Sequence, residues 1–171
     1  MNKIIHVRAC RGDGAAGYTV RGAARTVLNT QNHPTAENNI AKLRHIAISV
    51  PDLERSAKFY EETFGLKRVN LAITPYGDGL SLSDGVINRT LLHCHTDAAA
   101  GDERGHAFVG IHHMGFIVND LEAMSRKIED NGGTFNRELK GGGGVDFERK
   151  FRDPDGVVFD ISHKGWGGIE S

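Results

Sequence analysis

The sequence predicts an α+β protein built from two tandem copies of one unit: a strand, a helix and about three further strands. Three observations predict it. First, the stretch from His45, HIAISVPDLE, recurs from His113 as HMGFIVNDLE, so that Asp52-Leu53-Glu54 meets Asp120-Leu121-Glu122. Second, Gly65 meets Gly133 at the same spacing of 113 − 45 = 68 residues, so the register holds across a helix-length segment. A repeat of this kind fixes architecture before any local reading does. Third, each copy passes from a β-branched stretch to a helical apolar period and then to β-like runs broken by turn residues.

Within each unit the elements follow in order. LRHIAISV and IHHMGFIV are the opening strands. Asp52 and Asp120 suit helix N-termini, where a short acceptor meets free backbone N–H groups. Leu53, Ala57, Tyr60 and Phe64 then recur at helical spacing, with Gly65 placed to end the first helix. In the second unit the stripe is Leu121, Met124 and Ile128, and Gly132-Gly133 ends it. LSLSDGVINRTLLHC reads as a hairpin turned at Asp84-Gly85, and VDFERKFRDPDGVVFDIS as one turned at Asp153-Pro154-Asp155-Gly156. The expected modules cover 43–97 and 110–164 of a domain over 43–171. TDAAAGDERGHAFVG reads as a surface linker between them. Gly141–Gly144 reads as a loop between strands, with freedom enough for a lid.

Residues 1–42 lack this periodicity. They are rich in Arg, Ala and Gly, and are expected to form a flexible N-terminal extension. The chain has 171 residues and a net charge of −1, which offers no electrostatic footprint for nucleic acid or an anionic membrane. No apolar run approaches the ~20 residues that span a bilayer. Cys10 and Cys94 form no disulfide framework or metal spacing, which suits a reducing cytoplasm.

His45 and His113 occupy equivalent repeat positions, and paired repeats bring such positions together. They are therefore candidate metal ligands. His112 is adjacent to His113 and, by strand alternation, is expected on the opposite face. Asp160 is an acid in an apolar strand, costly to bury unless it is paired or bound to a cation. It is either the third ligand or the partner of a neighbour such as Lys150 or Arg152. Two imidazoles and a carboxylate suit zinc, iron, nickel, manganese or cobalt, with positions left open for chemistry. A fourth position stays open between water, Asn88 or Thr90 on one strand parity, and His93 or His95 on the other.

These segments, LRHIAISVPDLERSAKFYEETFGLKRV, GIHHMGFIVNDLEAMSRKI and DPDGVVFDI, resemble the vicinal-oxygen-chelate superfamily over roughly residues 43–163. That group includes glyoxalase I, methylmalonyl-CoA epimerase, extradiol dioxygenases and the bleomycin and fosfomycin resistance proteins. The resemblance implies paired βαβββ modules curving into a cup around a divalent metal. It matches His45, His113 and Asp160 to ligand positions, although the family's last-strand ligand is normally glutamate. The family's fourth ligand, Glu or Gln, has no clean match. The resemblance further implies a homodimer and a small oxygenated substrate. The expected reaction is proton abstraction beside a carbonyl by a lyase or isomerase, with His93, His95 or Glu148 as base and Arg89 or Arg44 as receiver of a substrate carboxylate. The alternatives are an Fe(II) ring-cleaving dioxygenase and a metal-free drug- or metabolite-binding protein.

Overall fold

A computed structural model describes residues 40–101, 104–142 and 145–170. The expected extension therefore lies almost wholly outside the described residues, and the first strand begins at Lys42.

The first module runs β1 (Lys42–Ser49), α1 (Leu53–Phe64), β2 (Lys67–Ile73), β3 (Gly77–Ser83) and β4 (Asn88–Cys94). After a short α2 (Asp97–Ala100), the second runs β5 (Gly110–Ile117), α3 (Leu121–Asp130), β6 (Thr134–Gly142), β7 (Val145–Arg152) and β8 (Val158–Ser162). The repeated aspartates do the same work in both. Asp52 accepts from the Arg55 amide and Asp120 from the Ala123 amide, each at 2.9 Å, so each helix begins on a side-chain cap. Gly65 ends α1 at φ 70°, a left-handed conformation that suits glycine. The turns are built as read: Asp84 accepts from the Val86 and Ile87 amides, and Asp153 from those of Asp155 and Val157.

All eight strands form one sheet in the order β2-β3-β4-β1-β5-β8-β7-β6. The order is symmetric about the β1–β5 pair, which runs antiparallel and joins the modules. Ile46 stands opposite Met114, its own repeat equivalent, so a pseudo-two-fold axis passes between these residues. His45 then faces Gly115 and Ala47 faces His113, which sets the two histidines diagonally across the axis on one sheet face.

Strand alternation divides the chemistry between the two faces. One face packs on the helices as two cores. Ala57 of α1 packs with Leu66, Leu80, Leu82 and Leu91 beneath it, and Val118, Phe151 and Ile161 lie under α3. The opposite face carries a cavity of about 820 Å³, reached by His45, Asn88, Thr90, Glu148 and Lys150 at alternating positions.

The structure departs from the sequence reading in the linker and in the glycine run. The linker contains α2, capped by the Thr96 hydroxyl, which accepts from the Ala99 amide at 3.2 Å. The first two glycines of the run are strand rather than loop: β6 extends through Gly142, which pairs with Val145. Gly143 and Gly144, where a lid would hinge, lie outside the described residues.

Candidate active site

The cavity floor brings the repeat histidines together. His45 Nε2 lies 3.3 Å from His113 Nε2, and His113 Nε2 lies 3.0 Å from Asp160 Oδ2. All three residues are buried, Asp160 completely, and the three could offer ligand atoms within 4.8 Å of one another.

The surroundings decide which nitrogen of each ring carries the proton. Asn88 donates through Nδ2 to the Gly167 carbonyl at 2.9 Å, which leaves Oδ1 to accept from His45 Nδ1, also at 2.9 Å. Thr90 donates to the same oxygen, and Ser81 is hydrogen-bonded to Thr90 behind it. His45 Nε2 is therefore the bare nitrogen. On the other side His112 Nε2 donates to the Ala100 carbonyl at 2.6 Å, so neutral His112 accepts at Nδ1. His113 Nδ1 supplies that proton across 2.8 Å, which leaves His113 Nε2 bare as well. Two unprotonated nitrogens thus face each other, each oriented from behind as a metal-binding imidazole is.

Electrostatics keep them in that form. Burial, then the neighbouring His113, pulls His45 from 6.5 down to about 3. Burial, then Lys150, holds His113 well below its ordinary value, and burial lowers His112 too.

Asp160 meets the alternative foreseen for it. Lys150, its neighbour across the β7–β8 ladder, places Nζ 2.6 Å from Asp160 Oδ2. The same Nζ lies 2.7 Å from Glu148 Oε1 and 3.4 Å from His113 Nε2. Asp160 Oδ1 is buried with no hydrogen-bond partner among the described residues. Glu148 Oε2 accepts from Trp166 Nε1 at 3.0 Å, and the indole stacks on His45 with ring centres 4.6 Å apart. Gly115 permits that stack, since a Cβ there would come within 2.5 Å of the Trp166 ring.

The glyoxalase/bleomycin resistance protein/dioxygenase superfamily model matches residues 42–161, the span that builds both modules and every strand of this floor. The chain belongs to that superfamily. A probable lactoylglutathione lyase from Vibrio parahaemolyticus is 30% identical over 133 residues, covering 70% of this chain and 88% of that protein. The Arabidopsis thaliana lactoylglutathione lyase is 28% identical over 132 residues, 71% of this chain. The chain spans only 44% of the length of that relative. Among solved structures, methylmalonyl-CoA epimerase from Mycobacterium tuberculosis is similar in fold. Its TM-score is 0.58 at 22% identity, over 70% of this chain and 85% of that one.

The superfamily cup here takes His45, His113, Glu148, Lys150 and Asp160 from one chain. Of the expected bases, Glu148 lines the cavity. His93 does not. It lies on the helix-facing parity of β4, with Nδ1 3.3 Å from the Val50 carbonyl. His95 stands one residue beyond β4, its Nε2 3.3 Å from Asp78 Oδ2. The two expected arginines point elsewhere: Arg89 covers the Tyr60 ring at 4.9 Å, and Arg44 bonds the Leu43 carbonyl. Arg137 on β6, passed over in the sequence, lines the cavity instead.

The expectation for His112 is corrected. Ala47 pairs with His113 but Ile48 pairs with Ile111, so His112 is an extra residue in β5. This bulge turns His112 toward the cavity beside His113, where strict alternation would have sent it away. Trp166 gave one signal in the sequence, as the single tryptophan, set among glycines just after the last strand.

Proposed function

We propose that this chain is a lyase or isomerase that removes a proton beside a carbonyl group of a small oxygenated substrate, with the help of a divalent metal. The observation that carries the reading is the convergence of two bare imidazole nitrogens and a carboxylate on a cavity floor that Glu148 shares.

The donor set fits a metal such as zinc, iron, nickel, manganese or cobalt. His45 Nε2 and His113 Nε2 are unprotonated and oriented, and Asp160 keeps a buried oxygen without a partner among the described residues. These three residues would hold the ion. When bound, it supplies Lewis acidity that stabilises negative charge developing on the substrate's carbonyl oxygen. Glu148 takes the proton from the adjacent carbon. Its carboxylate is aimed by Trp166, whose Nε1 donates to one of its oxygens. Asn88 and His112 hold the two imidazoles in register, and Arg137 in the cavity wall receives an anionic group of the substrate.

The relatives' names suggest the first substrates to try, lactoylglutathione and methylmalonyl-CoA. Metal-reconstituted protein is incubated with each in deuterium oxide, and mass spectrometry follows deuterium entering the substrate. Uptake by at least one is expected, lowered about 100-fold or more in Glu148→Gln. Uptake by neither, or uptake unchanged in the variant, would sink the proposed chemistry.

A second reading is favoured by the Lys150–Asp160 ion pair: a metal-free protein that binds a drug or metabolite in the same cavity. Elemental analysis of protein purified without added metal, repeated on His113→Ala, separates the two. About one metal ion per chain, lost in the variant, supports the enzyme; none after reconstitution supports the binder. We further place the protein in the cytoplasm as a homodimer, the mass of which light scattering would read directly. No helix among the described residues is long and apolar enough to cross a membrane.

A further inference from the structure

Lys150 is a buried group on the cavity floor that neither the metal nor the proton transfer calls for as a cation. It is 4% exposed. An ammonium has three N–H groups. Its nitrogen lies near three acceptors at once: Asp160 Oδ2 at 2.6 Å, Glu148 Oε1 at 2.7 Å and His113 Nε2 at 3.4 Å. Two of those three residues belong to the candidate metal triad, and the third is the candidate base.

His113 Nε2 has a single lone pair. His112 holds the other nitrogen as a donor, so the ring cannot turn over to offer a second acceptor. An ion bound at His113 Nε2 must take the lone pair that faces Lys150. Asp160 Oδ2 is shared in the same way, and a divalent charge would sit within a few ångströms of a fixed positive one. Burial of Lys150, His113 and Asp160 weakens the solvent screening between the two.

We infer that Lys150 is the resident cation of this site, and that its ammonium and a divalent metal are alternative occupants of the same donors. The inference rests on the metal reading above and deepens it. Lys150 sets the threshold of metal affinity, and loading requires it to leave Asp160 and His113.

The experiment compares chelator-treated full-length wild type with Lys150→Met, which keeps the length and apolar stem but removes the charge. Each is titrated calorimetrically with Ni²⁺ and, separately, with Zn²⁺. The variant is expected to bind one equivalent at least ~100-fold more tightly. As a second measurement that needs no variant, wild type is reductively methylated with and without Ni²⁺, and Lys150 is followed by mass spectrometry. It should be protected without metal and labelled with it.

Stoichiometric binding by wild type that Lys150→Met leaves unchanged, or a Lys150 still protected in the loaded protein, overturns the inference and leaves the metal reading standing. Absence of binding in both proteins overturns the two together.

Discussion

At the residue scale the site depends on where protons are held as much as on which side chains are present. His113 keeps Nε2 bare, as the proposed ligand role requires, because His112 fixes its tautomer, and His112 can do so because its own Nε2 is tied to the Ala100 carbonyl. Replacement of His112 by Phe keeps the ring and removes the acceptor. Metal affinity should fall about 10- to 100-fold, the usual cost of losing such an orienting partner, and calorimetry with Ni²⁺ would read it. An affinity unchanged within error would mean that His113 is oriented by the bulge alone. Adjacent histidines on a strand ordinarily face opposite ways, and only the register shift between Ala47 and Ile48 reveals that these two do not. A bulge leaves no reliable mark in a single sequence, so this partner was not legible there.

At the element scale, α2 is a short structure with a positional task. It has one turn, capped by Thr96, and it presents the Ala100 carbonyl to His112 while Ala98 and Ala99 line the cavity. So short a helix has little stability of its own, since nucleation dominates at this length. Its cap therefore matters more than its composition. Thr96→Ala should cost about 1 kcal/mol and speed amide exchange over residues 97–100, measured by hydrogen–deuterium exchange. If exchange there is unchanged, packing on β4 holds the turn without its cap. The signal Thr-Asp-Ala-Ala-Ala was present in the sequence, but the surrounding glycines and charges made the segment read as linker. The long helices were legible for the opposite reason. α1 and α3 carry aspartate caps and apolar stripes that pack, mostly half-buried, on the sheet, and both features survive in one dimension.

At the scale of the whole molecule, the pseudo-two-fold axis buries titratable groups between the modules, and stability must depend on pH accordingly. His45 and His113 are held neutral, with His45 at about 3 and its ordinary value at 6.5. Below 6.5 the unfolded chain takes up protons at these rings while the folded chain does not. Their contribution to stability is therefore complete above about pH 6.5 and is lost as pH falls below it, for His45 toward about 3. Urea midpoints in chelator-treated protein should fall across that window, and His45→Gln should flatten the fall. A slope as steep in the variant would place the sensitivity elsewhere.

The sequence by itself determined the duplication, the strand-helix-strand order, the helix caps, the hairpin turns and the pairing of His45 with His113. Each follows from spacing and local chemistry, which a linear chain carries in full. Tertiary structure alone decided what surrounds the pair. The ladder between β7 and β8 set Lys150 against Asp160 rather than leaving Arg152 that role; Arg152 instead bonds the Gly156 carbonyl. Strand parity took His93 out of the cavity and brought Asn88 and Glu148 into it. The chain beyond β8 folded back to lay Trp166 on His45. These are cross-strand and end-of-chain contacts between residues far apart in sequence. Their partners are chosen by register and by which face is buried, and neither is written into any local stretch of residues.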